Sequence, residues 1–369
     1  MNGVIIIDKP AGWTSHDVVN RMRRILGQRS VGHLGTLDPL ATGVLPLVVG
    51  DFTRLAQFYT ASEKTYEGVI RFGFATTTYD ADGDRVGDSS PTAHVGTAAL
   101  GCPSGRRPDL NLGAVQQLAA EFVGVIQQTP PPFSAKKIHG IPAYKLARKR
   151  KVVELKPVEV EIKEFAITLL DNDRATFRAR VSSGTYMRSV AHDLGQRLGC
   201  GAHLESLRRT SVAEFDITQA HTLKEIETAS NHLAIRHPAP IDCHPDRSMP
   251  SPKAKTCGVE GPRVLSTSDT PVRSASSGEE PAEEDQRLER EVVPIQSLFI
   301  HPRQLLPQFP CVTADGPTAA RIRNGRPVNL PELSRARQVK VFANQTDLIA
   351  VATRVAGSLF HPKIVFHNG

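Results

Sequence analysis

The sequence predicts an α+β fold: a mixed or antiparallel central sheet flanked by helices, with a small β-rich unit at the C-terminal end. Two observations carry the larger unit. Residues 65–74, 158–167 and 174–181 alternate apolar and polar side chains with the period of half-buried strands. Around them, residues 15–26, 112–122 and 186–198 repeat their apolar side chains at helical spacing. The third observation concerns the tail, where VKVFA, LIAVAT and PKIVF follow one another across short turns.

The elements follow in chain order. Residues 3–8 are apolar on both faces, which predicts a buried strand, and Lys9-Pro10-Ala11-Gly12 is a turn. Thr14 or Ser15 caps the next helix, with Asp17 in its first turn, where the helix dipole favours negative charge. Val18, Val19, Met22, Ile25 and Leu26 form its apolar stripe, and Gly27 suits its stop. A glycine-rich loop, VGHLGTLDPLATG, leads into a strand at residues 44–49. In the strand at 65–74, Tyr66, Ile70, Phe72 and Phe74 share one face. Small residues, Gly and Pro make residues 91–109 a surface loop. Leu112, Val115, Leu118, Ala119 and Phe122 stripe the following helix. Pro130, Pro131 and Pro132 force an extended segment, and Pro142 opens a short basic helix. Ser182-Ser183-Gly184 turns the strand at 174–181 into the helix at 186–198.

At 369 residues the chain is long enough for two to three units. We place them at 1–235, 236–293 and 294–369. The middle stretch holds 8 of the 27 prolines and no aromatic residue, and it ends in the charge-dense EEPAEEDQRLERE. Such a composition buries too little apolar surface to offset its ordering entropy, so it is expected to be a disordered insertion or linker. Five scattered cysteines do not make a disulfide framework. The longest uncharged run near the start, residues 39–50, is too short to span a bilayer, and Asp8 interrupts the apolar N-terminal stretch. A cytoplasmic, monomeric protein is expected.

A formal net charge of +7 points weakly to a polyanionic partner. Arginines gather at Arg21, Arg23, Arg24 and Arg29, a basic run spans 145–151, and Arg208 and Arg209 adjoin; taken singly, each cluster reads rather as a solvated helix face. The glycine-rich loop is the most informative segment. Asp38, followed by Pro39 and flanked by Gly35 and Gly43, is a carboxylate on a rigid loop, suited to act as nucleophile or base, or simply to start a turn. Tyr186 and Arg188 stand at a helix start, where Arg188 can pair with a carboxylate. Tyr66 can offer a ring for stacking on a base, or fill a core. DADGD at residues 80–84 has its glycine too early for a calcium loop, and His232, His237, Cys243, His244 and Cys257 fit no zinc-finger spacing. No phosphate-cradling or cofactor motif is present.

Five ordered blocks resemble the TruB family of tRNA pseudouridine synthases: GVIIIDKPAGWTSHDVV, GHLGTLDPLATGVLPLVVG, KTYEGVIRFG, PPFSAKK and GTYMRSVAHDLGQRLGCGAHLESLRRT. The resemblance covers most of residues 3–225. It implies a pseudouridine synthase fold with a small PUA-like RNA-binding domain, an isomerase without cofactor, and tRNA as partner through its T-arm, at uridine-55. It makes Asp38 the catalytic aspartate, and places His33 where it fills or supports the space left by the extruded base. It sets Tyr66 against the uracil, and lines the pocket with Tyr186 and Arg188, the latter paired to Asp38. Lys9 and Lys64 match basic positions near the RNA backbone. Phe133 stands where the family more often has Tyr. Two rival functions are a non-catalytic RNA-binding or tRNA-folding protein and a guide-RNA-dependent synthase; the absence of a long Lys-rich tail speaks against the second.

Overall fold

The computed structural model describes residues 1–86, 110–134, 137–138, 141–142, 155–236, 294–331 and 336–367. The expected loop at 91–109 and the stretch at 237–293 lie outside the described residues, as do residues 143–154, where the short basic helix was expected. Pro142 itself belongs to a strand, β7 (Ile141–Pro142), paired with β6 (Lys137–Ile138).

The α+β class holds. A ten-stranded sheet has the order β12-β1-β3-β10-β4-β9-β8-β5, with β2 added on β3 and β11 on β10. Its strands are β1 (Gly3–Lys9), β2 (Val31–His33), β3 (Thr42–Val49), β4 (Lys64–Phe72), β5 (Gly124–Gln128), β8 (Val158–Asp171), β9 (Arg174–Val181), β10 (Ala202–Val212), β11 (Phe215–Asp216) and β12 (Phe299–Ile300). Among the described residues every pairing in this sheet is antiparallel except β3 with β10, where Arg208 meets Thr42 and Arg209 meets Gly43.

Helices α1 (Ser15–Ile25), α3 (Leu112–Ala120), α4 (Met187–Arg197) and α5 (Leu223–Arg236) cover one face; α2 (Ala56–Tyr59) is a single turn. Val18, Val19 and Met22 of α1, Val190 and Leu194 of α4 and Ile226 of α5 pack on Ile5, Ile7, Leu45, Leu47, Ile70 and Phe72. The opposite face of β1 and β3 presents Val4, Ile6, Val44 and Val48 to a second core. This is why residues 3–7 are apolar throughout. In β4, Tyr66, Ile70 and Phe72 are buried as the alternation predicts, while Phe74 lies beyond the strand end against His203.

The tail forms a five-stranded sheet, β13 (Cys311–Thr313), β15 (Gln338–Phe342), β16 (Leu348–Ala356), β17 (Leu359–Val365) and β14 (Val328–Asn329), with α6 (Gly316–Arg323) beside it. It has its own core around Val312, Ile322, Val339 and Phe360. It does not stand apart from the first unit. Phe342, Leu348, Val351, Ile364 and Phe366 complete the second core together with Val4, Ile6, Phe52, Tyr59 and Phe215, and β12 extends the main sheet beside β1. Tyr59 and Leu306 are joined at the seam, where Glu214 Oε1 accepts from the Tyr59 hydroxyl at 2.6 Å and from the Leu306 N–H at 2.8 Å.

β10 is the element the sequence conceals. Arg208 and Arg209 do not lie on a helix face: they sit on this interior strand, Arg208 chelating Asp8 at 2.8 and 3.1 Å and Arg209 wholly buried. A buried arginine breaks the apolar rhythm by which interior strands are recognised. The α1 arginines are likewise partly engaged: Arg21 pairs with Glu227 at 2.6 Å, and Arg23 donates to the Val31 carbonyl at 3.0 Å. Among the described residues no helix is long and apolar enough to cross a membrane.

Candidate active site

The site lies where the loop from β2 to β3 passes the start of α4. A single transverse row of the sheet runs beneath it: Lys9 on β1 faces Gly43 on β3, Gly43 faces Arg209 on β10, and Arg209 faces Tyr66 on β4. Residues in register across strands present their side chains to one face. Gly43, at φ +97°, has no side chain to add, and a Cβ there would come within 2.2 Å of the Arg209 carbonyl oxygen. Glycine is therefore what permits the β3–β10 contact in this row.

The loop that carries Asp38 is pinned along its length. His33 Nδ1 accepts from the Gly35 N–H at 3.3 Å. Arg209 donates to the carbonyls of Gly35 at 3.1 Å, Thr36 at 3.3 Å and Val44 at 2.8 Å. The buried Ser15 hydroxyl accepts from the Leu37 N–H at 2.8 Å and donates to the Leu37 carbonyl at 3.1 Å. The Pro39 carbonyl accepts from Gly12 N–H at 2.9 Å and from Lys9 Nζ at 3.3 Å. Of the two candidate caps for α1, Thr14 takes the part and forms a capping box with Asp17, which leaves the Ser15 hydroxyl free for the loop. Asp38 is thus held by its neighbours' main chain while its own carboxylate stays 39 % exposed.

Opposite Asp38 stands Arg188, the second helical residue of α4. A cation there opposes the helix dipole, so its stabilisation must come from elsewhere. Its Nε is in ion-pair contact with Asp38 Oδ2 at 2.9 Å, though without the alignment of a hydrogen bond. Its Nη1 lies 3.5 Å from Asp80 Oδ2 and donates to the Thr78 carbonyl at 3.2 Å, and its Nη2 donates to the Phe133 carbonyl at 3.0 Å. Two carboxylates and two carbonyls together compensate a guanidinium whose side chain is only 5 % exposed.

The start of α4 is fixed by Gln128, a buried amide that accepts from the Tyr186 N–H at 2.8 Å and donates to the Tyr186 carbonyl at 3.1 Å. Ser189 adds a bond to the Thr129 carbonyl at 2.8 Å. On the other side, Tyr79 takes a left-handed backbone (φ 65°) and stacks on His192 with ring centroids 3.8 Å apart, which seats the Thr78 and Asp80 partners of Arg188.

These elements surround a cavity of about 300 Å³ lined by Asp38, Lys64, Tyr66, Tyr186, Arg188, Leu207 and Gly35–Leu37 among others. Five of the sequence-derived residues therefore meet: Asp38, Lys64, Tyr66, Tyr186 and Arg188. His33 does not line the cavity; it supports the loop from behind, and burial first, then Arg209, depresses its pKa. Lys9 does not line the cavity either: its side chain is buried, and Nζ donates to the Pro10, Trp13 and Pro39 carbonyls at 2.9, 2.6 and 3.3 Å, so it holds the loop. Burial lowers its pKa to about 8, against the opposing pull of Asp38. Lys64 is also lowered to about 8, by burial and then by Arg209, with its Nζ on the Ser62 carbonyl at 2.6 Å.

Asp80, Gln128, Ser15 and Arg209 carry no sequence signal that ties them to the site. Asp80 is the first residue of the DADGD run, and its carboxylate accepts from the Thr78 hydroxyl and the Asp82 N–H before meeting Arg188. Polar residues in turn-like stretches carry no sequence signal that they are buried. Among the described residues no cluster of His, Cys, Asp or Glu is placed to hold a metal. What the arrangement offers is one carboxylate, oriented by an arginine, at the rim of a small cavity with two tyrosines in its lining.

Comparison with known proteins agrees with this geometry. Residues 23–187 match the TruB family pseudouridylate synthase N-terminal domain, and residues 188–237 the tRNA pseudouridylate synthase B C-terminal domain. A tRNA pseudouridine synthase B of Solibacter usitatus is 41% identical over 371 residues, covering 99% of this chain and all of that one. Its namesake in Thermobifida fusca is 47% identical, over 61% of this chain and 74% of that one. Among solved structures, a Cbf5-Nop10-Gar1 complex and an H/ACA RNP bound to a substrate RNA each match with a TM-score of 0.58 at 20% identity, covering 99% of this chain and 85% of that one; these likenesses concern the fold. With a relative similar from end to end, and two consecutive family models that meet at the Met187–Arg188 bond beside the carboxylate, the chain belongs to the TruB family of pseudouridylate synthases.

Proposed function

We propose that this chain is a tRNA pseudouridine synthase that isomerises uridine-55 of the T-loop, acting as a cytoplasmic monomer with Asp38 as its nucleophile. The observation that carries the reading is the 2.9 Å contact of Asp38 with the buried Arg188, at a cavity lined by Tyr66 and Tyr186. The reaction breaks the C1′–N1 bond, turns the base and joins C1′ to C5, with the C5 hydrogen released as a proton. It needs neither an electron carrier nor a group donor. It needs a carboxylate to attack or assist, which Arg188 holds in position, and a ring surface against which the freed uracil can turn, for which Tyr66 at the cavity wall is suited.

A cavity of about 300 Å³ suits one flipped nucleotide rather than a duplex. Extrusion costs a few kcal/mol, and contacts to the flanking phosphates offset it. Lys64, at the wall, is suited to one such contact, since a phosphate would raise its lowered pKa and hold it charged. The tail unit adds Arg321, Arg323 and Arg326 as exposed cations for RNA, Arg323 being paired with Asp347 at 2.9 Å. Incubation with unmodified, guide-free tRNA transcript followed by pseudouridine mapping tests the reading. Modification confined to uridine-55 is expected; an unmodified transcript would overturn it.

A further inference from the structure

Among the described residues Arg209 is the largest fully buried side chain, and within its strand it belongs to the row that runs from Lys9 to Tyr66. Its environment is unusual for a buried guanidinium. Its hydrogen bonds go to three neutral main-chain carbonyls, Val44, Thr36 and Gly35, rather than to a carboxylate. Tyr66, its register partner on β4, lies beside it through its hydroxyl. A buried charge held only by dipoles is costly, and an apolar residue would avoid that cost. The planar fork of arginine does one thing that such a residue cannot: it binds several acceptors at once in fixed directions.

What those acceptors have in common is the candidate site. Gly35 and Thr36 are the residues from which the chain climbs to Asp38, Val44 begins the interior of β3 after the loop returns to the sheet, and Tyr66 is the ring at the opposite wall. Resting on the function proposed above, we propose that Arg209 is a positioning residue for the isomerisation: it ties both ends of the Asp38 loop to β10, in register with Tyr66 on the adjoining β4, so that carboxylate and ring keep one mutual placement. It touches neither substrate nor Asp38. The two other buried supports do not duplicate this connection, since Ser15 and Lys9 join the loop to α1 and to the turn after β1.

The test compares Arg209→Lys with wild type on tRNA transcript carrying tritium at C5 of the target uridine, under single turnover with enzyme in excess. An ammonium at the end of an unbranched stem cannot serve the Gly35, Thr36 and Val44 carbonyls together. The rate of tritium release is expected to fall about 100-fold, the loss that a displacement of about 1 Å brings to a reacting pair. The dissociation constant for tRNA is expected to stay within about threefold, because binding relies on the phosphate contacts. That split between bound chemistry and affinity is what a merely structural residue would not produce, since partial unfolding lowers the active fraction without slowing the folded enzyme. Arg209→Gln, measured in parallel, keeps a planar donor and is expected to lie closer to wild type than Arg209→Met. A wild-type release rate in folded Arg209→Lys overturns the proposal. Failure of every Arg209 variant to fold also overturns it, by making the residue one of folding alone. Absence of release from the wild-type enzyme would instead refute the proposed function, so the two failures are told apart.

Discussion

Arg188 stands between two carboxylates, with Nε 2.9 Å from Asp38 and Nη1 3.5 Å from Asp80, yet only Asp38 opens to the cavity. One guanidinium thus serves a buried partner that anchors it and an exposed partner that it presents. The arrangement orients Asp38 without burying it, and it assigns the two acids different tasks.

Asp38→Asn keeps the shape of that side chain and removes its charge. tRNA affinity is expected to persist within about tenfold, equivalent to about 1.4 kcal/mol, while turnover falls to background. Tritium release from C5 measures the step directly, because each pseudouridine formed expels that hydrogen. Release near the wild-type rate would remove Asp38 from the role of nucleophile.

Asp80→Asn should act differently. The amide can retain the bonds from Thr78 and from Asp82, but Arg188 loses one of its two anions and is left less well compensated. We expect turnover to fall roughly 10- to 100-fold and stability by about 1–3 kcal/mol, with tRNA affinity little changed. Urea unfolding beside single-turnover assays separates the two effects. A variant as stable and as active as wild type would show that Asp38 alone suffices to hold Arg188.

Asp193 on α4 provides a pH test independent of catalysis. Burial raises its pKa from 3.8 to about 6, a shift that the nearby Arg197 only partly opposes. A carboxyl whose folded-state pKa exceeds its unfolded value contributes stability that is complete below about 3.8 and lost as pH rises through 6. Near pH 7.5 the ionised group is therefore a burden in the folded state. Asp193→Asn is expected to raise stability there by about 1 kcal/mol, with the advantage shrinking as pH falls below 6. Melting curves at pH 5 and pH 7.5 check the sign.

The boundaries of the units are open to deletion. Residues 240–290 are expected to be removable, because Ile226 and Ala229 before them and Ile295 after them pack in one core, which a short link can join. A large fall in stability would show that the stretch belongs to the core. Truncation after residue 235 should be far more damaging than loss of an appended binding unit. It strips β12 from β1 and uncovers Val4, Ile6, Phe52 and Phe215, each worth about 1.5–3 kcal/mol when fully buried. A truncated chain as stable as the whole would show that the shared core contributes little.

The sequence by itself determined the α+β class, the two-sided burial of β1 and the α1 cap region. Those features are local: period, capping and turn chemistry act over a few residues and are written in order along the chain. Motif resemblance added the pairing of Arg188 with Asp38, which the structure places at 2.9 Å. The tertiary structure alone decided which polar side chains go inside. Nothing local separates Lys9, buried under three carbonyls, from Lys64 at the cavity wall, or Arg208 on Asp8 from its neighbour Arg209 beneath the loop. Nor does spacing reveal that Asp80 lies behind Arg188, 108 residues further along. Burial of a charge depends on whether distant strands deliver enough acceptors to replace water, and that is settled only when β1, β3, β10 and β4 come into register.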